Sequence, residues 1–449
     1  MKGGSNMKLD AFKTMLFEKA QAAGFTDWEL YYSESQGFEV SMFEREMDNY
    51  QVTGSIGVCF RGLYNGRMGY ASAEILDEAS TDMLVKAALE NAKTLESPDV
   101  PEIYDGHGEY AQLPLYNEAL QTWQAADKIT QAEKMEALLY QHPYIQSDQT
   151  EVSTSRGTRR IMNSKGLDVS YQSNSCFMFV EAIVEKNGKK NNAYDYEGYR
   201  DHTRADLAKL ARNAAEEALA FVDAQPVPSG KYPVILSNAV ASSMLGTFSS
   251  TFMADEVQKG RSLLAGKLGQ TIAAPHVTLL DDPHSQIGLD SRPFDAEGVP
   301  TYTKPVIDQG VLKTFLHNLT TARKDNVQPT GNAAKNSIAS PVAISGMNLH
   351  FAAGELSLEE LMQQVGNGLY ITSVQGLHSG ANAVSGDFSL GAKGFKVTDG
   401  KKAEAVEQIT IAGNFFTLLQ DIVALADDLR FRGYGSPALW VKELSVAGT

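Results

Sequence analysis

Cysteine is scarce: only Cys59 and Cys176 occur in 449 residues. Two thiols in segments with no sign of pairing leave no disulfide framework and fit a reducing compartment, with the cytoplasm as the default. Their isolation also excludes a structural zinc, which needs four nitrogen or sulfur ligands at short spacings. Basic residues are few as well, 39 Lys and Arg against 55 Asp and Glu, for a net charge of −16. That balance argues against a broad phosphate-binding surface and so against direct nucleic-acid binding. Long apolar runs are missing. The longest uncharged stretch, Pro233–Ala254, is interrupted by Ser237, Asn238, Ser242, Ser243 and Thr247, too polar for a bilayer core. It reads instead as a buried strand ending at Ser237 and a helix with Asn238 as its N-cap. No secretory signal is expected, because Met1–Asn6 is short and polar and Asp10–Ala23 is amphipathic; Met7 could be the natural start.

The hydrophobic content, 43%, is ample for large cores, and the length suggests two or three domains. A helix over Leu9–Ala23, alternating segments that read as an antiparallel meander, and a helix over about Asp77–Leu95 form a first unit. The order recurs: helix Ala126–Tyr140, strands near Glu151–Thr158, Arg159–Asn163, Leu167–Lys186 and Lys190–Tyr196, then helix Ala205–Val222. We read two similar α/β layers, an internal duplication. The prolines and glycine of Gln225–Gly230 mark a boundary, giving an N-terminal α+β domain over 1–225 and a C-terminal domain over 226–449. The latter is strand-rich, with helices at Leu358–Gln364 and Phe415–Ala426, and fits a curved or barrel-like sheet. The fold class is α+β.

The most distinctive segment is Gly376–Gly394, GLHSGANAVSGDFSLGAKG, five glycines with almost no charge. It reads as shaped backbone, either a pair of tight hairpins on the rim of a sheet or a surface for close approach of another chain. Within it, Gly380, Asn382, Ser385, Gly386, Asp387 and Phe388 are the candidate peptide-binding rim. Ser385 and Asp387, with His378, have the look of a nucleophile loop, but no ordered base can be assigned. Asp281, Asp282 and His284, with Asp290, Asp295 and Glu297 downstream, form the densest acidic cluster of the C-terminal half. They are a metal site or, the preferred reading, solvated loops in which Asp295, Glu297 and Gly298 make a turn whose carboxylates accept backbone N–H bonds.

Taken with EQITIAGNFFTLLQDIVALADDL and SPALWVKELSVAG downstream, and with Lys267–Thr301, Gly310–Lys324 and Pro329–Asn336 upstream, the chain resembles the TldD/PmbA family, in particular its PmbA (TldE) branch. The match covers essentially all of 226–449 and is looser before it. The resemblance implies zinc-dependent peptide hydrolysis by a complex of two related subunits. The catalytic subunit of that family carries His-Glu-x-x-x-His on a helix and a cysteine near the C-terminus. Neither is present. None of the eight histidines is followed by Glu, the helix after Tyr232–Leu236 offers only Leu, Gly, Thr, Phe and Ser around Leu245–Ser250, and Asp427–Pro437 has no cysteine.

The chain is therefore expected to have no catalytic or metal-ligating residue of its own. Its role would be that of the non-catalytic subunit, which binds a TldD-like, zinc-bearing partner and presents extended peptide by strand addition. A homodimer is possible when it is isolated, with no nucleic-acid or membrane partner. The segment NFFTLLQDIVALA could serve the subunit interface or be a core helix. The family's label as a modulator of DNA gyrase gains no support here as direct DNA binding. The alternatives are an independent hydrolase using the carboxylate or Ser385 sets, and a peptide-binding scaffold without protease activity.

Overall fold

A computed structural model describes residues 7–95 and 99–449. The segment Met1–Asn6, singled out above as a short polar start, lies outside the described residues.

The N-terminal half is built from two copies of one pattern. The first is α1 (Leu9–Ala22), β1 (Asp27–Phe43), β2 (Glu46–Tyr64), β3 (Arg67–Ala73) and α2 (Glu78–Thr94). After a short helix α3 (Glu118–Thr122) come α4 (Ala125–Leu139), β4 (Ile145–Asn163), β5 (Asp168–Lys186), β6 (Lys189–Tyr199) and α5 (Leu207–Phe221). The two units merge into one antiparallel sheet of order β3-β2-β1-β4-β5-β6, joined where β1 pairs with β4 from Glu29↔Asn163 to Met42↔Thr150. The segments expected as separate strands at 151–158 and 159–163 run together as β4, because pairing with β1 on one side and β5 on the other continues through Gly157.

Strand periodicity decides which face is covered. In β5 the residues Cys176, Met178, Val180, Ala182 and Val184 alternate inward and are buried. They meet Leu210, Ala211, Ala214 and Ala218 along one stripe of α5, whose start is capped by Asp206 accepting from the Lys209 N–H at 2.9 Å. Leu30, Tyr32, Val58 and Phe60 meet α1 and α2 in the same way. Burying each large apolar side chain is worth about 1.5–3 kcal/mol. Helices thus cover one face only, and the other carries Glu29, Tyr31, Ser33, Arg61 and Arg159.

In the C-terminal half, β7 (Gly230–Leu236) lies between the strands Gly368–Gln375 and Leu439–Ala447. The strands Asp387–Thr398 and Lys401–Asn414 continue the sheet, and Thr410–Ala412 pair with Ser445–Ala447 to close a five-stranded barrel. A helix α6 (Asn238–Phe248) follows β7 and packs Val240, Ala241, Met244, Leu245 and Phe248 into the same core as Val234, Leu236, Ile371, Leu390 and Ile411. A second sheet of short strands, including Leu279–Asp281, Lys304–Asp308 and Tyr434–Ser436, carries the loops that reach back to the N-terminal half.

Three local expectations change. The α6 cap is Ser237, whose hydroxyl accepts from the Val240 N–H at 3.3 Å, one residue before the expected Asn238. The helix expected over Phe415–Ala426 ends at Asp421, and Ile422–Leu425 forms a strand against Leu439–Val441. Its apolar residues Phe415, Leu418, Leu419, Ile422 and Leu425 are core, leaving none of them for an interface. Among the described residues no helix is long and apolar enough to cross a membrane.

Candidate functional site

The barrel strand β7 and its helix α6 are brought against the segment 427–437. Asn238 Nδ2 donates to the Asp428 carboxylate at 3.1 Å, and the other Asp428 oxygen accepts from the Ala438 N–H at 2.7 Å. Burial raises the Asp428 carboxyl above its ordinary range. At the far end of α6 the hydroxyls of Ser249 and Tyr434 lie 3.0 Å apart. The side chains that meet at this junction are therefore amide, carboxylate, phenol and hydroxyl. Ser242 adds a buried hydroxyl without a partner. The imidazole beside it, His350, packs against the Phe431 ring with its Nδ1 on the Asn348 carbonyl, so this donor set does not fit zinc, which favours several His and Cys ligands in a tetrahedral site. Among the described residues no three His, Cys, Asp or Glu side chains come together as a metal site.

The acidic cluster is divided among separate structural tasks. Asp281 is buried and paired with Lys304 Nζ at 2.7 Å, and it also accepts from Asn332 Nδ2 and the Met347 N–H. Asp282 accepts from the His284 N–H and the Thr303 hydroxyl. Asp290 is paired with Arg292. Asp295 accepts backbone N–H bonds from Glu297 at 2.8 Å, Val299 at 3.1 Å and Ala333 at 2.9 Å, in a turn where Gly298 has φ +82°. Burial, then the charge of Glu297, pushes the Asp295 carboxyl up to about 7 against these three donors.

Glu297 has a partner that no local spacing reveals. Its Oε1 accepts from Arg61 Nη1 at 2.8 Å, Arg61 Nε donates to Glu29 Oε1 at 2.7 Å, and Glu297 Oε2 accepts from the Leu319 N–H at 2.9 Å. All three side chains of this Glu29–Arg61–Glu297 network are at most 5% exposed. It fastens the helix-free face of the N-terminal sheet to the C-terminal half.

The glycine-rich run is neither a pair of hairpins nor an open edge. Leu377–Gly380 is a helical turn, Ala381–Gly386 is a tight loop, and from Asp387 onward the run is a strand paired with Lys401–Asn414, and from Gly391 with Gly368–Gln375 as well. A strand rich in glycine is tolerated because Gly394 crosses so close to Tyr370 that a Cβ would lie 2.0 Å from its carbonyl oxygen. Asn382 Oδ1 accepts from the N–H groups of Val384 and Ser385, and the Gly386 N–H donates back to the Asn382 carbonyl at 2.8 Å. Asn414, which sequence reasoning did not single out, locks the loop: its Nδ2 donates to the Ser385 carbonyl and to Asp387 Oδ1, holding Asp387 below the usual carboxylate range. Phe388 is buried in the core and Asp387 is exposed. The Ser385 hydroxyl accepts from the Asp387 N–H, and His378 is exposed with no hydrogen bond to either. These three residues do not assemble as a nucleophile and base.

With this geometry in place, comparison with known proteins is decisive. Models of the PmbA/TldA metallopeptidase domain 1, central domain and C-terminal domain match residues 28–92, 118–221 and 229–448. The chain belongs to the PmbA/TldD metallopeptidase family. Metalloprotease PmbA from Escherichia coli O157:H7 is 27% identical over 436 residues, covering 95% of this chain and 94% of that protein. The PmbA homolog of Haemophilus influenzae is 28% identical, covering 94% and 91%. Among solved structures, a candidate modulator of a DNA gyrase from Thermotoga maritima superposes with a TM-score of 0.91 at 33% identity, covering 98% of this chain and all of that one. TldE from Thermococcus kodakarensis shares the fold, with a TM-score of 0.87 at 22% identity, covering 97% and 100%. Within the family frame, the α6 junction and the long antiparallel N-terminal sheet are the features that bear on function.

Proposed function

We propose that this chain is the non-catalytic subunit of a two-component cytoplasmic metalloprotease, paired with a TldD-like partner that supplies the zinc and acting on unfolded or extended peptides. The observation that carries the reading is the α6 junction, where a zinc helix of the family would need imidazoles and this chain offers only Leu, Gly, Thr, Phe and Ser around Leu245–Ser250. Its contribution is binding and shape. The strand edge suited to that role lies in β2: Glu46–Ser55 pair only with β1, since β3 ends at Ala73, opposite Val58. Backbone groups on the far side of that segment are open to another chain, and Met47, Tyr50 and Val52 are exposed along it. The glycine-rich loop, paired and capped internally, supports the barrel instead.

An independent hydrolase is disfavoured by Asp281 being neutralised by Lys304 and by His378 lying apart from Ser385. The test is to mix the purified chain with a sibling carrying His-Glu-x-x-x-His. A stable heteromer and peptidase activity absent from this chain alone are expected; a sibling fully active without it removes the presenting role.

A further inference from the structure

Between the helix-free face of the N-terminal sheet and the loops around 289–296 and 335–338 lies an open cavity of about 390 Å³. Its wall brings together four cationic side chains, Arg159, Arg200, Arg292 and Lys335, against two carboxylates, Asp290 and Asp295. Arg292 is paired with Asp290, and Asp295 is occupied by its three backbone donors. The other three cations make no ion pair among the described residues, and neutral acceptors hold them in place. Arg159 donates to the carbonyls of Glu34 and Thr158, each at 3.1 Å. Arg200 donates to the carbonyls of Leu115 and Leu289, and Lys335 to the Ser340 carbonyl. Burial holds Arg200 below its ordinary range, as expected for a desolvated cation lacking a counter-ion.

Such a cluster costs free energy in an empty protein. In a chain of net charge −16 with carboxylates to spare, it is not a by-product of composition. Guanidinium groups fixed by carbonyls, with the hydroxyls of Ser33 and Ser173 beside them, make a preorganised receptor for planar or tetrahedral oxyanions. The volume falls in the range of small-ligand sites, about 300–1,000 Å³. We propose that this cavity binds a multiply charged oxyanion, presented either by carboxylates of an acidic peptide or by a phosphate group. The site is separate from the β2 edge and does not rest on the peptide-presenting role.

The experiment is calorimetric titration of the full chain with inorganic pyrophosphate and with tri-glutamate, at ionic strength held constant with sodium chloride. The overall negative charge repels anions at long range, so saturable binding reports the cavity. One probe or both should bind at one site per chain with Kd below about 1 mM. Arg159→Gln and Lys335→Gln should each weaken binding about 10- to 100-fold, the range for loss of a charge-assisted hydrogen bond. Arg261→Gln, which alters an exposed pair with Glu256, should leave it unchanged. Binding of pyrophosphate alone identifies phosphate as the source, and of tri-glutamate alone carboxylate. Mutual competition shows that the oxyanion itself is read. Phenylglyoxal labelling of the unmutated chain, read by mass spectrometry, should slow at Arg159 and Arg200 when the probe is present, whatever the variants do. No saturable binding by either probe up to about 10 mM, or full affinity in well-folded Arg159→Gln and Lys335→Gln, overturns the proposal.

Discussion

Single residues here are tied to their places by backbone geometry and by charge. Gly386 is buried at φ +83°, and a Cβ on it would lie 2.5 Å from the Phe416 ring. Gly386→Val must bear a left-handed conformation that β-branched residues avoid and also displace that ring, so a loss of about 2 kcal/mol or more is expected in urea unfolding. His378→Ala, on an exposed ring, should change stability by less than about 0.5 kcal/mol. A second residue-scale test concerns pH. The turn between β1 and β2, with Glu44 and Arg45 both at positive φ, is held by two carboxylates: Glu44 N–H donates to Asp148 at 3.0 Å and Arg45 N–H to Glu136 at 2.6 Å. Tyr140 also donates to Asp148, at 3.1 Å. Burial, opposed by the Arg45 N–H and reinforced by the Asp148 charge, raises the Glu136 carboxyl to about 7. A raised folded-state pKa means that the folded protein holds this proton more tightly than the unfolded chain. The stabilisation is complete below the unfolded value near 4.5 and is lost as pH rises toward 7. Unfolding free energy should fall over that window by about 1–3 kcal/mol from this site. Glu136→Gln, which keeps the acceptor for Arg45, should flatten the slope; an unchanged slope would contradict the shared-proton arrangement.

Elements differ in how much of them the sequence discloses. The alternation in β5 and the stripe on α5 are legible because both bury one face against a single neighbour. The duplication is legible for the same reason, since each unit repeats helix, three strands and helix. The barrel was visible as a spacing of short strands, but its closure through Thr410–Ala412 and Ser445–Ala447 depends on residues brought together from separate segments. The glycine-rich run misled because glycine signals both turns and close approach, and only the packing of Gly394 against Tyr370 distinguishes them. Likewise Glu297 could be read as part of a turn, while its partner Arg61 lies 236 positions away. The cationic cavity was hidden by a negative total charge. At this scale the β2 edge yields a prediction. Val52 is 69% exposed, so Val52→Lys should leave stability within about 0.5 kcal/mol. If a chain adds along this edge, the same change should weaken association with the catalytic partner about tenfold or more in a direct binding assay. Unchanged association would move the contact elsewhere.

At the scale of the whole molecule, the two halves are joined through polar contacts as well as apolar ones. Replacing Arg61 by Met leaves Glu29 and Glu297 buried and unpaired, and the expected cost is about 3–5 kcal/mol, measured as the unfolding midpoint of the full chain. A small effect would mean that water reaches the network. Function at this scale turns on whether a member of a metallopeptidase family can lack the metal site itself. The most direct test is the zinc content of the purified full chain after exposure to micromolar zinc and gel filtration. Well under one equivalent per chain is expected, because the α6 junction lacks the set of imidazoles and thiols that would hold the ion. One tightly bound zinc per chain, with peptidase activity that a chelator removes, would contradict the non-catalytic assignment.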